Sequence, residues 1–213
     1  MEKGLKDRLL EALSRNKSGH LPIARADRDG PIGLSFAQQR LWFVAQLDGA
    51  SQAYHMPAGL RLRGDLDEAA LVRALDRIVY RHEVLRTRFV KAGDEPVQVI
   101  DPPGIGFALD KKDLSSTPQQ DRDDQLQALA EAGASAPFDL AAGPLIRGTL
   151  VRLGEQDHAL LVTMHHIISD GWSVGVLVSE FNQLYEAYCT DRPDPLPPLP
   201  IQYADYALWQ RGQ

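Results

Sequence analysis

The segment spanning residues 159–188 constrains this chain more than any other. Ala159-Leu160-Leu161-Val162-Thr163 is a short apolar run of strand formers, and beyond it Val174, Leu177, Val178, Phe181, Leu184, Tyr185 and Tyr188 recur at helical spacing. His165 and His166 therefore stand where a buried strand ends. An Asp170-Gly171 turn follows, with Ser173 as the expected N-cap of the next helix. Successive strand side chains point to opposite faces, so only one of the two histidines can face a given cleft. Histidine is the usual general base near neutral pH. The same pair could serve packing alone, or supply metal ligands together with Asp170, although no further Cys/His cluster joins them. A Ser-His-Asp triad on Ser169 is disfavoured, because neighbours on one loop cannot line up nucleophile, base and orienting acid. Asp170 is expected to tie the loop down through an arginine.

Size and charge narrow the classes. The chain has 213 residues, enough for one domain with a sizeable core. A net charge of −6 without a basic run argues against nucleic acid or an anionic membrane as partner. One cysteine, Cys189, precludes an internal disulfide framework. No apolar run approaches the ~20 residues of a membrane span, and the charged start lacks a signal-peptide core. The expected location is cytoplasmic.

Residues 3–15 carry Leu5, Leu9, Leu10 and Leu13 on one face of an amphipathic helix, which either packs on its own domain or serves as a linker or docking helix over 1–19. Ser35 and Gln38 form a capping box that opens a second helix. Residues 56–63 read as a strand, and Asp67 caps a helix with Leu66 and Leu71 as a hydrophobic staple. Gly93-Asp94 turns a hairpin between residues 89–90 and 97–100. Pro118 is expected at the first position of a helix that falters by Gly133, and Gly154-Glu155-Gln156-Asp157 turns a strand into the one ending at His165. A Pro-rich stretch over residues 192–200 is expected to be extended. The pattern predicts an α/β (α+β two-layer) fold, with hairpin strands in one mixed sheet and helices packed on it.

Several strings share one resemblance. His165-His166-x-x-x-Asp170-Gly171 resembles the HHxxxDG motif of condensation domains of non-ribosomal peptide synthetases, in the chloramphenicol acetyltransferase-like superfamily. Ser35-Phe36-Ala37-Gln38-Gln39-Arg40-Leu41-Trp42, the 81–89 string Arg81-His82-Glu83-Val84-Leu85-Arg86-Thr87-Arg88-Phe89, and Tyr203-Ala204-Asp205-Tyr206-Ala207-Leu208-Trp209 resemble three more motifs of that family, in order. Pro137-Phe138-Asp139-Leu140 and Gly143-Pro144-Leu145-Ile146-Arg147 resemble the passage usual just before HHxxxDG. The resemblance implies the N-terminal lobe of a two-lobed domain over residues 20–192. Residues 193–213 would be a connector beginning the crossover to a missing C-terminal lobe.

It further implies amide formation between a donor acyl thioester and the α-amine of an acceptor aminoacyl thioester. Both would ride on 4′-phosphopantetheine arms of partner carrier proteins, with no cofactor or metal bound by the chain itself, and with an adenylation domain as neighbour. His166 would be the base or positioning group, the Gly171 N–H would face the oxyanion, and His165 and Asp170 would support them. Arg81, Arg86 and Trp209 would be structural, Arg81 or Arg86 as the partner of Asp170 and His82 as a packing residue. The lobe is expected to be inactive alone. The alternatives are a starter domain that acylates the first amino acid from an acyl-CoA, or a non-catalytic carrier-docking fragment.

Overall fold

The computed structural model describes residues 23–47 and 50–212; the expected amphipathic helix over residues 3–15 lies outside them. Among the described residues, seven strands divide between two sheets. The larger is ordered β2 (His55–Arg63), β7 (Asp157–His165), β6 (Ile146–Gly154), β5 (Leu109–Asp113). It is mixed: β5 runs parallel to β6 and the other pairs are antiparallel. The smaller is ordered β1 (Ile32–Gly33), β4 (Glu95–Ile100), β3 (Thr87–Ala92). The hairpin expected around Gly93 is present as β3–β4, with Gly93 at φ +65 in its turn.

The expectation of one sheet thus gives way to two. β7 is paired along its length with β2 on one side and β6 on the other, and β6 is paired with β5. No inner edge is left for the β3–β4 hairpin, whose free edge is taken by β1 through Ile32↔Gln98. β7 is mostly buried, as its near-continuous apolar run requires of a strand covered on both faces.

Among the described residues five α-helices accompany the sheets: α1 (Phe36–Ala45), α2 (Glu68–Arg81), α3 (Gln119–Ser135), α4 (Gly171–Cys189) and α5 (Tyr203–Arg211). On one face of the large sheet, Leu71 and Leu75 of α2 meet Leu150, with Phe181 and Tyr185 of α4 packed against them. On the other, Leu126 and Leu129 of α3 pack on Val151, Leu153 and Ala159. None of these helices is long and apolar enough to cross a membrane.

Local chemistry sets the helix starts. Ser35 Oγ accepts from the Gln38 N–H at 3.2 Å and the Ser35 N–H returns to Gln38 Oε1 at 2.9 Å, the expected capping box. Asp67 accepts from the Ala70 N–H at 2.9 Å. Pro118 is the N-cap of α3, one position earlier than expected, and α3 continues past Gly133 to Ser135. There the half-buried Arg147 guanidinium bonds the carbonyls of Gly133 and Ala136 that the helix end leaves open.

The strings singled out in the sequence interlock around one buried acid. Asp205 Oδ1 takes the Ala26 N–H at 2.9 Å and an Arg28 contact at 2.8 Å, while its Oδ2 takes the Gln202 N–H at 2.7 Å. Arg28 also holds Glu83 at 2.8 Å, and the Gln202 amide joins the Arg81 carbonyl to the Glu83 N–H. The Tyr203 hydroxyl meets Ser35 Oγ at 3.0 Å. Residues 193–200 form neither helix nor strand. They are fastened by Arg77 to Asp194 and by Arg81 to the Pro197 carbonyl, each at 2.5 Å.

Candidate functional site

A cleft of about 560 Å³ opens between the end of β7, α1, the start of α4 and the chain leading into α5. Its walls include Arg40, Tyr54, His82, His166, Asp170, Trp172, Gln202 and Tyr203, among apolar residues such as Leu41, Val44 and Leu177. Trp172 is 84 % exposed.

The strand end sorts the two histidines as alternation demands. His165 is fully buried, beside His55 and Phe138. Its Nδ1 accepts the Ile167 N–H at 3.0 Å, so the neutral ring carries its proton on Nε2 and donates to Ser51 Oγ at 3.1 Å. His166, one residue on, is exposed in the cleft, and its own N–H is held by the Tyr54 carbonyl at 2.8 Å. One histidine thus props the loop and the other is offered to the cleft.

Burial, reinforced by His55 and His166, pushes the His165 pKa down to about 4. An unfolded chain would take a proton near 6.5, the folded one only near 4, so stability is lost as pH falls through that window. The loss should reach about 3 kcal/mol by pH 4. Asp157, Asp170 and Asp205 are held below the ordinary carboxylate value of 3.8, so their losses come at lower pH. Urea midpoints measured from pH 7 to 4.5 should fall steeply in the native protein. In His165→Gln the slope should flatten; an equal slope in both proteins would rule out His165 as its source.

Asp170 departs from expectation. It pairs with neither Arg81 nor Arg86 but is the N-cap of α4, in place of Ser173. Its Oδ1 accepts from the Ser173 N–H at 2.8 Å and from Ser173 Oγ at 2.7 Å. These bonds hold its carboxyl below the usual range. A short acidic side chain two bonds from the helix N-terminus finds its donors within one turn, and the dipole favours its charge there. Asp170→Ala should therefore cost only about 1 kcal/mol. Asp170→Asn, which still caps, should melt within a degree or two of the native protein, and a large loss in both would point to a buried ion pair instead.

Arg81 instead holds Glu180 at 3.1 Å, and Arg86 donates to the Asp101 carbonyl at 2.5 Å. Trp209 lies in α5, tilted against Tyr206. Gly171 is the first residue of α4, between the cleft residues Asp170 and Trp172. Its N–H takes no partner among the described residues, and a Cβ there would meet nothing within 4 Å. The chain's own packing does not require glycine at this position, which leaves clear space in front of an open donor at a helix N-terminus.

Glu180, hydrogen-bonded to the cleft residue His82, is the contact that the sequence reading missed. It is a buried acid of α4 whose two oxygens hold Arg81 and His82, so His82 is a hydrogen-bond partner of that acid rather than only a packing residue. The signal was present: Glu180 falls on the inward stripe between Leu177 and Leu184, where a lone charge needs a partner. Among the described residues no group of three or more His, Cys, Asp or Glu comes together as a metal site.

The condensation-domain family profile matches residues 29–213. Malpibaldin synthetase of Mortierella alpina is 48 % identical over 199 residues, which is 93 % of this chain and 4 % of that protein. The X-domain solved in complex with OxyB from teicoplanin biosynthesis superposes with a TM-score of 0.80 at 31 % identity, covering 91 % of this chain and 41 % of that one. The first condensation domain of the calcium-dependent antibiotic synthetase, solved with a substrate analogue, superposes with a TM-score of 0.70 at 28 % identity, covering 79 % and 40 %. The chain thus spans a few per cent of the synthetase and about two fifths of each solved relative.

Proposed function

The chain belongs to the condensation-domain family, and on that premise we propose that it is the histidine-bearing lobe of a domain that joins two thioesters through an amide bond. Residues 20–192 form the lobe and 193–213 the connector towards a second lobe; the segment expected over 1–19 lies outside the described residues. The substrates are an acyl or peptidyl donor and an aminoacyl acceptor, each on the 4′-phosphopantetheine arm of a carrier protein, with an adenylation domain as neighbour.

The observation that carries the reading is the sorting of the histidine pair: His166 is open on the cleft and His165 is sealed behind it. The acceptor amine attacks the donor thioester carbonyl. His166 takes the proton that the nitrogen loses and returns it to the departing thiolate as the C–S bond breaks. The Gly171 N–H, unpaired at the helix start, faces the oxyanion that develops on the carbonyl. Asp170 holds that helix start, and His165 holds the loop through Ile167 and Ser51. No side chain becomes acylated, and holding the two arms together supplies much of the rate.

The test is mass spectrometry of the acceptor carrier after mixing both loaded carriers with the complete domain. An added donor mass in amide linkage is the expected result, and its absence would overturn the reading. The likeness to an X-domain solved in complex with another protein favours a second reading, a docking lobe without chemistry. That reading expects carrier binding without product.

A further inference from the structure

His82, at the C-cap of α2, lines the same cleft as His166. Its Nε2 lies 2.5 Å from Glu180 Oε2, and the other carboxylate oxygen accepts from Arg81 Nε at 3.1 Å. The Glu180 and Arg81 side chains are 10 % and 7 % exposed, and that of His82 is 16 % exposed. A carboxylate held by an arginine only accepts hydrogen bonds, so the proton of a neutral His82 ring sits on Nε2. Nδ1 is then a bare lone pair. It takes no hydrogen bond among the described residues, and it is not one of the side-chain nitrogens shut away from solvent without a partner. His82 belongs to the lining of that cleft. His165, whose role is structural, has both ring nitrogens bonded within the fold; His82 has one bonded and one left open.

We infer that His82 is a positioning residue for the substrate. Its Nδ1 accepts the N–H of a secondary amide on a pantetheine-type arm in the cleft, while Glu180 and Arg81 fix the ring and its tautomer. The inference rests on the cleft being the thioester site proposed above. Such an amide is present on both the donor and the acceptor arm, and kinetics separate the two.

The test uses the complete domain, varying the loaded donor and loaded acceptor carriers separately. His82→Phe keeps an aromatic ring but removes the lone pair, and the KM of one arm or both should rise roughly three- to tenfold, as for one lost hydrogen bond. The kcat should stay within about twofold of the native value. Glu180→Gln should raise the same KM with the ring still in place, because the glutamine amide can donate to Nε2 and shift the ring proton to Nδ1. His82→Asn, whose amide stands near the Nδ1 position, should recover most of the lost affinity. If His82→Phe does not fold, Glu180→Gln carries the test. Native KM values for both arms in the folded variants would overturn the inference and leave the proposed function standing. Absence of product from the native domain would overturn both.

Discussion

His166→Ala should slow amide formation by roughly 10²–10⁴-fold, the contribution expected of a positioned general base. The ring is exposed in the cleft and is not part of the core, so its removal leaves no cavity and no buried partner unpaired. An exposed substitution of this kind changes stability by no more than about 0.5 kcal/mol. The melting midpoint should therefore stay within about 2 °C. Single-turnover rates with both carriers loaded, read beside a thermal melt of the same sample, make the comparison. An undiminished rate would mean that the cleft only aligns the reactants, as effective concentration alone could achieve. A lowered midpoint with proportionate loss of rate would mean that His166 supports the loop, a role the geometry gives to His165.

Glu180→Ala should be the most damaging single change to stability. It leaves the largely buried Arg81 guanidinium and the half-buried His82 ring beside α4 without their carboxylate acceptor. Removing one member of a buried pair costs about 3–5 kcal/mol, because the remaining charge stays desolvated. In a domain of this size that corresponds to a fall in midpoint of roughly 10 °C. Glu180 also ties the middle of α4 to the end of α2, and Arg81 reaches on to the Pro197 carbonyl of the connector. Loosening should therefore spread to residues 193–200, readable as faster amide hydrogen exchange there. The double variant Glu180→Leu/Arg81→Met removes both charges and should recover much of the loss. Strict additivity of the two single effects would show that the pair does not couple.

How much of this could be read in advance depended on distance along the chain. The strand–His-His–loop–helix order, the opposite facing of His165 and His166, the Ser35–Gln38 capping box, the Asp67 cap and the β3–β4 hairpin were all legible. Each rests on periodicity or on bonds spanning a few residues, where backbone geometry leaves few choices. The cap of α4 was misread by three residues although it too is local: Asp170 and Ser173 can both cap, and Ser173 Oγ donates to the acid that wins. The division into two sheets, the partners of Arg81 and Arg86, and the Glu180–His82 contact were not legible. They join residues 15 to 99 positions apart, and charge pairing carries no periodicity to announce which carboxylate an arginine will meet. The linear pattern determined the elements and which histidine could face a cleft. Long-range packing selected the sheet edges and the ion pairs that place Glu180 behind His82, because burial removes water as the competing partner and leaves only the groups the fold brings within reach.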